Sequence, residues 1–335
     1  MNLWLVFLGA ALAVVIAGNR VSLYGDLIAL KSGIGQALVG GILIAGVTSL
    51  PELVTTSSAA YIGAVDLAVG NVFGSNIFNL AMLALMDLVQ GAGPLMLEVH
   101  SRHILTAMLG IILSVSAALF IMINHLTFFN LHFWGVGIGS LVIVLIYILG
   151  TRLNYRYEGE DNQIKEKEKK IVNLDISLHS VYPKFILAAV VIIVAGYTLS
   201  VTADKIAAVT GLEETFMGSI MVAAATSLPE LVTVLAAMKI GAYNMATANV
   251  FGSNIFNILV LVVADVMYRP GPILAAVSLT NVITALLGII LASIAIIGLF
   301  YRSHKSFLAL GWDSVAILII YLFGVYLIIN MGIAI

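Results

Sequence analysis

Two carboxylates stand in the middle of apolar sequence, and the same four residues precede each: Thr48-Ser49-Leu50-Pro51-Glu52 and Thr226-Ser227-Leu228-Pro229-Glu230. A glutamate near a bilayer centre costs about 2.5–3.5 kcal/mol on insertion scales, so a pair of them requires a polar site. The prolines sharpen the requirement. Pro51 cannot donate to the carbonyl of Val47, nor Pro229 to that of Ala225, and each ring pushes that carbonyl aside. Bent or unwound backbone survives at membrane depth only where it is buried in protein or lines a wet cavity.

Helical spacing gathers further oxygen around each carboxylate. Thr48 and Ser49 precede Glu52 by four and three residues, and Thr226 and Ser227 precede Glu230 likewise, so each trio shares a helix face. A second duplicated segment, Gly70 to Asn79 and Ala248 to Asn257, places Ser75 four residues before Asn79 and Ser253 four before Asn257. These donors are all oxygens, with neither sulfur nor histidine in the motifs. Such a set suits hard cations: Ca²⁺, which takes about 6–8 oxygen ligands, or Na⁺. Two glutamates balance one divalent ion.

The elements that must position these residues are membrane helices. Hydrophobic residues make up 61% of the 335 and charged residues 10%, where soluble domains carry roughly 25% charge. Mean hydropathy is +1.13. The chain is read as an all-α integral membrane protein. Its net charge of −2 and lack of a basic stripe give no sign of nucleic acid, and the absence of cysteine excludes disulfides, thiolate metal sites and cysteine nucleophiles.

A window of about 20 apolar residues finds ten spans: approximately 2–24, 35–60, 65–90, 103–124, 130–150, 183–203, 213–238, 242–266, 275–300 and 308–332. The apolar run from Leu3 to Ile16 lacks a basic leader and is expected to be a retained first span. Residues 151–182 form a charged linker between two units, 1–150 and 183–335, with motif regions 45–79 and 223–257. Lysine and arginine favour the odd-numbered loops, which hold Lys31, Arg102, Arg152, Lys239 and Arg302, whereas the even ones hold only Lys205 and Arg269. The positive-inside rule makes the odd loops, and with them the linker, cytoplasmic, and puts both termini outside.

One offset, 178 residues, relates the halves. Ala45 to Thr56 matches Ala223 to Val234 at nine of twelve positions, and Gly70 to Asn79 matches Ala248 to Asn257 at nine of ten. It also pairs Gly18 with Gly196, Ser22 with Ser200 and Asp87 with Asp265. Five spans separate equivalent points, so the second half enters the membrane upside down: an inverted-topology repeat of five helices each, the build of many secondary transporters. Gly40, Gly41, Gly70, Gly74, Gly218 and Gly252 are faces for close helix approach, and Gly74 and Gly252 are candidate interruption points of the third and eighth helices.

The doubled T-S-L-P-E and G-S-N-I-F-N segments resemble the two alpha-repeats of the cation/calcium antiporter superfamily, specifically its prokaryotic Na⁺/Ca²⁺ exchanger branch. The resemblance implies that Glu52 and Glu230 hold Ca²⁺ with the backbone carbonyls of Thr48 and Thr226. Na⁺ sites would share those glutamates and add Ala45, Ser49, Ser75, Ala223, Ser227 and Ser253, with Asn79 and Asn257 completing the central position. Many members carry glycine where this chain has Val47 and Ala225. Asparagine at 257, where some members have aspartate, argues against K⁺ co-transport. Alternating access with sliding first and sixth helices follows by the same resemblance, as do Na⁺ and Ca²⁺ as transported ions without a cofactor, a plasma-membrane location and function as a monomer.

Other readings stay open beside this one. A proton-coupled Ca²⁺ or other divalent antiporter would use the same glutamates, although the serines favour Na⁺ because a proton needs no such cage. An intramembrane enzyme lacks a helix-borne H-E-x-x-H, paired aspartates, or a serine-histidine or serine-lysine pair in these motifs. A passive channel is disfavoured because two buried carboxylates hold a divalent ion tightly. Asn71, Asn76, Asn249 and Asn254 read as interhelical glue, Asp87 and Asp265 as interfacial carboxylates, and the six histidines carry no chemistry.

Overall fold

The computed structural model describes residues 3–32, 36–91, 93–127, 132–133, 135–160, 178–210, 225–303, 306–307 and 310–333. A long first helix, α1 (Leu3–Ser32), leads into a broken one. Its first half, α2 (Gln36–Thr48), widens to π geometry over Val39–Ile44, and its second half, α3 (Leu50–Tyr61), departs at 44°. Then come α4 (Val65–Gln90), α5 (His103–Thr127), the hairpin β1 (His132–Phe133) and β2 (Val136–Gly137), and α6 (Ile138–Glu160). The second half holds α7 (Leu178–Thr210), α8 (Leu228–Lys239), α9 (Tyr243–Met267), α10 (Thr280–Tyr301), the hairpin β3 (Ser306–Phe307) and β4 (Leu310–Gly311), and α11 (Trp312–Ile333).

Among the described residues, seven helices are long and apolar enough to cross a membrane, and eight if the bent pair counts as one. The expected fifth span is α6, apolar over the shorter Ile138–Asn154; the seventh is described only from residue 225 onward, as α8. The expected linker falls largely on residues 161–177, outside the described residues. The fifth and tenth spans begin later than hydropathy placed them, because a small hairpin precedes each.

The most enclosed helices, α4 and α9, pack against one another at the centre. Helices α1 and α7 lie together along one side, α1 against α8 and α7 against α3, while α5 and α10 pack on each other and on the central pair. Neither α4 nor α9 is interrupted, which corrects the expectation at Gly74 and Gly252. One glycine weakens a helix by only about 1 kcal/mol, whereas a proline removes a donor outright, and the break falls at Ser49, before Pro51. Gly252 instead permits contact: a Cβ there would strike the backbone of Gly41, and one at Gly40 would strike the carbonyl of Met245.

Asp87 and Asp265 hold the helix ends. Asp87 accepts the backbone N–H of Leu95 (2.6 Å) and of Gly311 (2.7 Å). Asp265 accepts those of Ile273 (2.6 Å) and Gly137 (2.7 Å) and the hydroxyl of Ser140 (2.6 Å). Each aspartate thus fastens the hairpin of the opposite half. Asp66 accepts the Ser278 N–H (2.7 Å) and the Asn281 amide (2.9 Å), while its counterpart Asn244 meets the His100 N–H (2.8 Å) and the His103 ring (3.3 Å).

Candidate cation site

Two short backbone breaks build the site. Ser49 (φ −87°, ψ 6°) and Ser227 (φ −85°, ψ 5°) have almost the same conformation, each capping a helix whose second residue is proline. The N–H of Leu53 reaches back to the carbonyl of Ser49 (3.1 Å), and that of Leu231 to Ser227 (3.1 Å). Glu52 and Glu230 therefore sit in the first turns of α3 and α8, where the positive end of the helix dipole favours an anionic group.

The serines cross between halves. Ser49 Oγ donates to Glu230 Oε1 at 2.7 Å, and Ser227 Oγ donates to Glu52 Oε1 at 3.1 Å. Ser227 Oγ also lies 3.2 Å from Ser75 Oγ on α4. Thr48, Ser49, Glu52, Ser75, Asn79, Thr226, Ser227, Glu230, Ser253 and Asn257 are all buried. Among the described residues, Glu52 Oε2, Glu230 Oε2, Asn79 Oδ1 and Asn257 Oδ1 are buried acceptors without a hydrogen-bond partner, and the Asn79 Nδ2 donor is likewise unmatched. A buried acceptor left unsatisfied costs about 1–3 kcal/mol, more when charged, so this group of acceptors calls for a ligand that bonds to oxygen.

The remaining expected residues take varied places. Ala45 is buried, and its carbonyl accepts the Ser49 N–H (3.0 Å) and the Thr48 hydroxyl (3.3 Å). Thr48 Oγ1 also donates to Ile44 (3.1 Å) and stands within reach of the Glu230 carboxyl, so it belongs both to its own helix and to the site. Ser253 turns along α9 toward Asn249 Oδ1 (3.4 Å), away from the Ser227–Ser75 arrangement of the other half. Ala223 lies outside the described residues. The four asparagines read as glue split: Asn71 donates to Thr56 (3.0 Å), Asn249 to Thr233 (2.9 Å), and Asn76 to the backbone carbonyl of Asn254 (3.3 Å), but Asn76 also accepts from Asn257 Nδ2 (3.0 Å) and so touches the site directly. From sequence Asn76 reads as interhelical glue, and only the packing of α4 on α9 reveals the link to Asn257.

The family model described as sodium/calcium exchanger protein matches residues 2–153 and 181–330. The chain belongs to that family. Its relatives include the inner membrane protein YrbG of Escherichia coli K12, 29% identical over 267 residues that make up 78% of each chain. The sodium/calcium exchanger MaX1 of Methanosarcina acetivorans is 25% identical over 278 residues, 72% of this chain and 76% of its own. The fold matches a solved structure of the sodium-calcium exchanger NCX_Mj soaked with Na⁺ and Sr²⁺, at TM-score 0.71 and 22% identity over 96% of this chain and 97% of that one. The chain is a multi-pass membrane protein of an exchanger-type antiporter family, a family of transporters of Na⁺ and Ca²⁺.

Proposed function

We propose that this exchanger-family chain moves Ca²⁺ against Na⁺ through one central site that opens to either face in turn. The reading rests on one observation above all: among the described residues, Glu52 Oε2, Glu230 Oε2 and the amide oxygens of Asn79 and Asn257 are buried acceptors without hydrogen-bond partners, next to two serines that bridge the halves. Two carboxylates offset the charge of one Ca²⁺, and its coordination of about 6–8 oxygens is filled out by the carbonyls of Thr48 and Thr226 and by water. Na⁺ ions draw on the same glutamates and add the hydroxyls of Ser49, Ser75, Ser227 and Ser253 and the carbonyls of Ala45 and Ala223. Because both cargoes require the glutamates, they bind in competition, and that competition couples the two fluxes.

In this reading residues 1–150 and 183–335 are two five-helix repeats of opposite orientation, joined by a cytoplasmic linker at 151–182, in the plasma membrane with both termini outside. Helices α1 and α7 form the moving layer. Its contacts with the rest are close: a Cβ at Gly18 would meet Val232 at 2.7 Å, and Ser22 Oγ donates to the Thr233 carbonyl at 2.7 Å.

The test is uptake of radioactive Ca²⁺ into proteoliposomes at clamped voltage, comparing an outward Na⁺ gradient, an outward proton gradient and neither. Uptake driven by Na⁺ alone is expected. Uptake driven by protons alone would replace Na⁺ coupling with proton coupling, and uptake indifferent to both gradients would remove the antiport reading.

A further inference from the structure

The two halves carry the same asparagines, yet the structure joins only one of two equivalent pairs. Asn76 and Asn254 are related by the 178-residue offset, as are Asn79 and Asn257. Asn257 Nδ2 donates to Asn76 Oδ1 at 3.0 Å, and Asn76 Nδ2 donates in turn to the backbone carbonyl of Asn254 at 3.3 Å. Its image under the repeat is a bond from Asn79 Nδ2 to Asn254 Oδ1, and both of those atoms are buried with no partner among the described residues. A donor and an acceptor are thus each left empty at the two ends of a bond whose twin is made. The serines break symmetry in the same sense: Ser227 reaches Ser75 (3.2 Å), whereas the equivalent Ser253 turns toward Asn249 (3.4 Å) and makes no bond with Ser49.

The space for rearrangement is present. A cavity of about 20 Å³ lies where α4, α5, α9 and α10 meet, lined by Asn76 with Asn254, Phe73 with Phe251, and Gly110 with Gly288, each pair related by that offset. That is room for about one water, and the side chains of Asn76 and Asn254 are among the few polar groups on its wall.

We propose that Asn76 and Asn254 are positioning residues of a two-state amide switch, each orienting the central asparagine of the opposite half in only one of the two access states. This rests on the antiporter reading above. In the state seen here, Asn76 holds Asn257 so that its Oδ1 faces the site, and Asn79 is untethered. When the halves exchange conformations, as an inverted repeat permits, the Asn257–Asn76 bond opens and the Asn79–Asn254 bond closes. The two states then contain the same number of hydrogen bonds. Neither is favoured by its amides, which suits a carrier that must visit both.

The test exploits the lack of cysteine in the chain. Spin labels at Ile62→Cys and Val209→Cys, both highly exposed and outside the site, report the distance between the ends of α3 and α7, measured without Na⁺ or Ca²⁺. Asn76→Ala is expected to shift the populations away from the state seen here and Asn254→Ala toward it. Each shift should be roughly threefold or more in population ratio, threefold being the equivalent of one average interhelical hydrogen bond in a membrane. The double variant should return the ratio to that of the parent. Asn76→Ser and Asn254→Ser, too short to span the gap, repeat the comparison if an alanine variant does not fold. Shifts in the same direction, or no shift in either variant, would overturn the switch. Failure of Ca²⁺ uptake in the parent chain would instead overturn the antiporter reading, because the distance measurement depends on no transported ion.

Discussion

Replacing Glu52 by glutamine removes a charge while keeping shape and a hydrogen bond. The glutamine carbonyl still accepts the Ser227 hydroxyl that Glu52 Oε1 accepts at 3.1 Å, so the contact between halves survives. What disappears is half of the negative charge in a site enclosed by residues of 0–2% exposure. Removing one partner of a buried charge pair costs about 3–5 kcal/mol, and at about 1.4 kcal/mol per decade this is roughly a 140- to 4,000-fold loss of Ca²⁺ affinity. Glu230→Gln should fall in the same range, because Ser49 bonds Glu230 as Ser227 bonds Glu52. The assay is equilibrium binding of radioactive Ca²⁺ to purified protein without Na⁺, with thermal unfolding of the apo-protein measured alongside. Melting should change little while binding collapses. If both variants bind Ca²⁺ within threefold of the parent and melt normally, the Oε2 atoms are not ligands and the proposed site is wrong.

Ser227→Ala removes a hydroxyl that meets both Glu52 and Ser75, and Ser49→Ala one that meets Glu230. Competition of Na⁺ with Ca²⁺ binding should weaken in both, by about tenfold or more for Ser227→Ala, the scale of one hydrogen bond to a charged group at about 1.5 kcal/mol. Asp265→Asn sets an amide NH₂ against donors that now bond two carboxylate oxygens, so thermal stability should drop by about 2–4 kcal/mol, more than for Asp87→Asn, with Ca²⁺ affinity of the folded protein unchanged. Gly252→Ala, whose Cβ would meet the Gly41 backbone, should reduce the yield of folded protein severalfold in a size-exclusion assay, whereas Gly74→Ala, with nothing within 4 Å of its Cβ, should not.

Local chemistry made much of the molecule legible before any coordinates. Hydropathy located α4 and α9 to within a residue, because a continuous apolar run has no other way to satisfy its backbone in lipid. The breaks at Ser49 and Ser227 followed from prolines that lack a donor. Residues that act through long-range partners were less legible. Asp87 and Asp265 read as interfacial carboxylates, and their purpose, fastening the hairpin of the other half, depends on Gly311 and Gly137, which lie 224 and 128 residues away. The hairpins are two-residue strands, too short to leave a periodicity.

The sequence by itself determined that two glutamates occupy equivalent helix starts, with serine and asparagine at fixed helical spacing, because proline and side-chain periodicity act within a few residues. Which serine serves which glutamate was decided only by tertiary structure. Ser49 and Glu52 share a helix face, yet Ser49 bonds Glu230, 181 residues distant, because the break turns α2 and α3 by 44° and α8 packs against that turn. The unequal treatment of Asn79 and Asn257 is likewise a property of the packed state. Identical sequence motifs specify identical local geometry, and only the contact between α4 and α9 gives one amide a partner and leaves the other without.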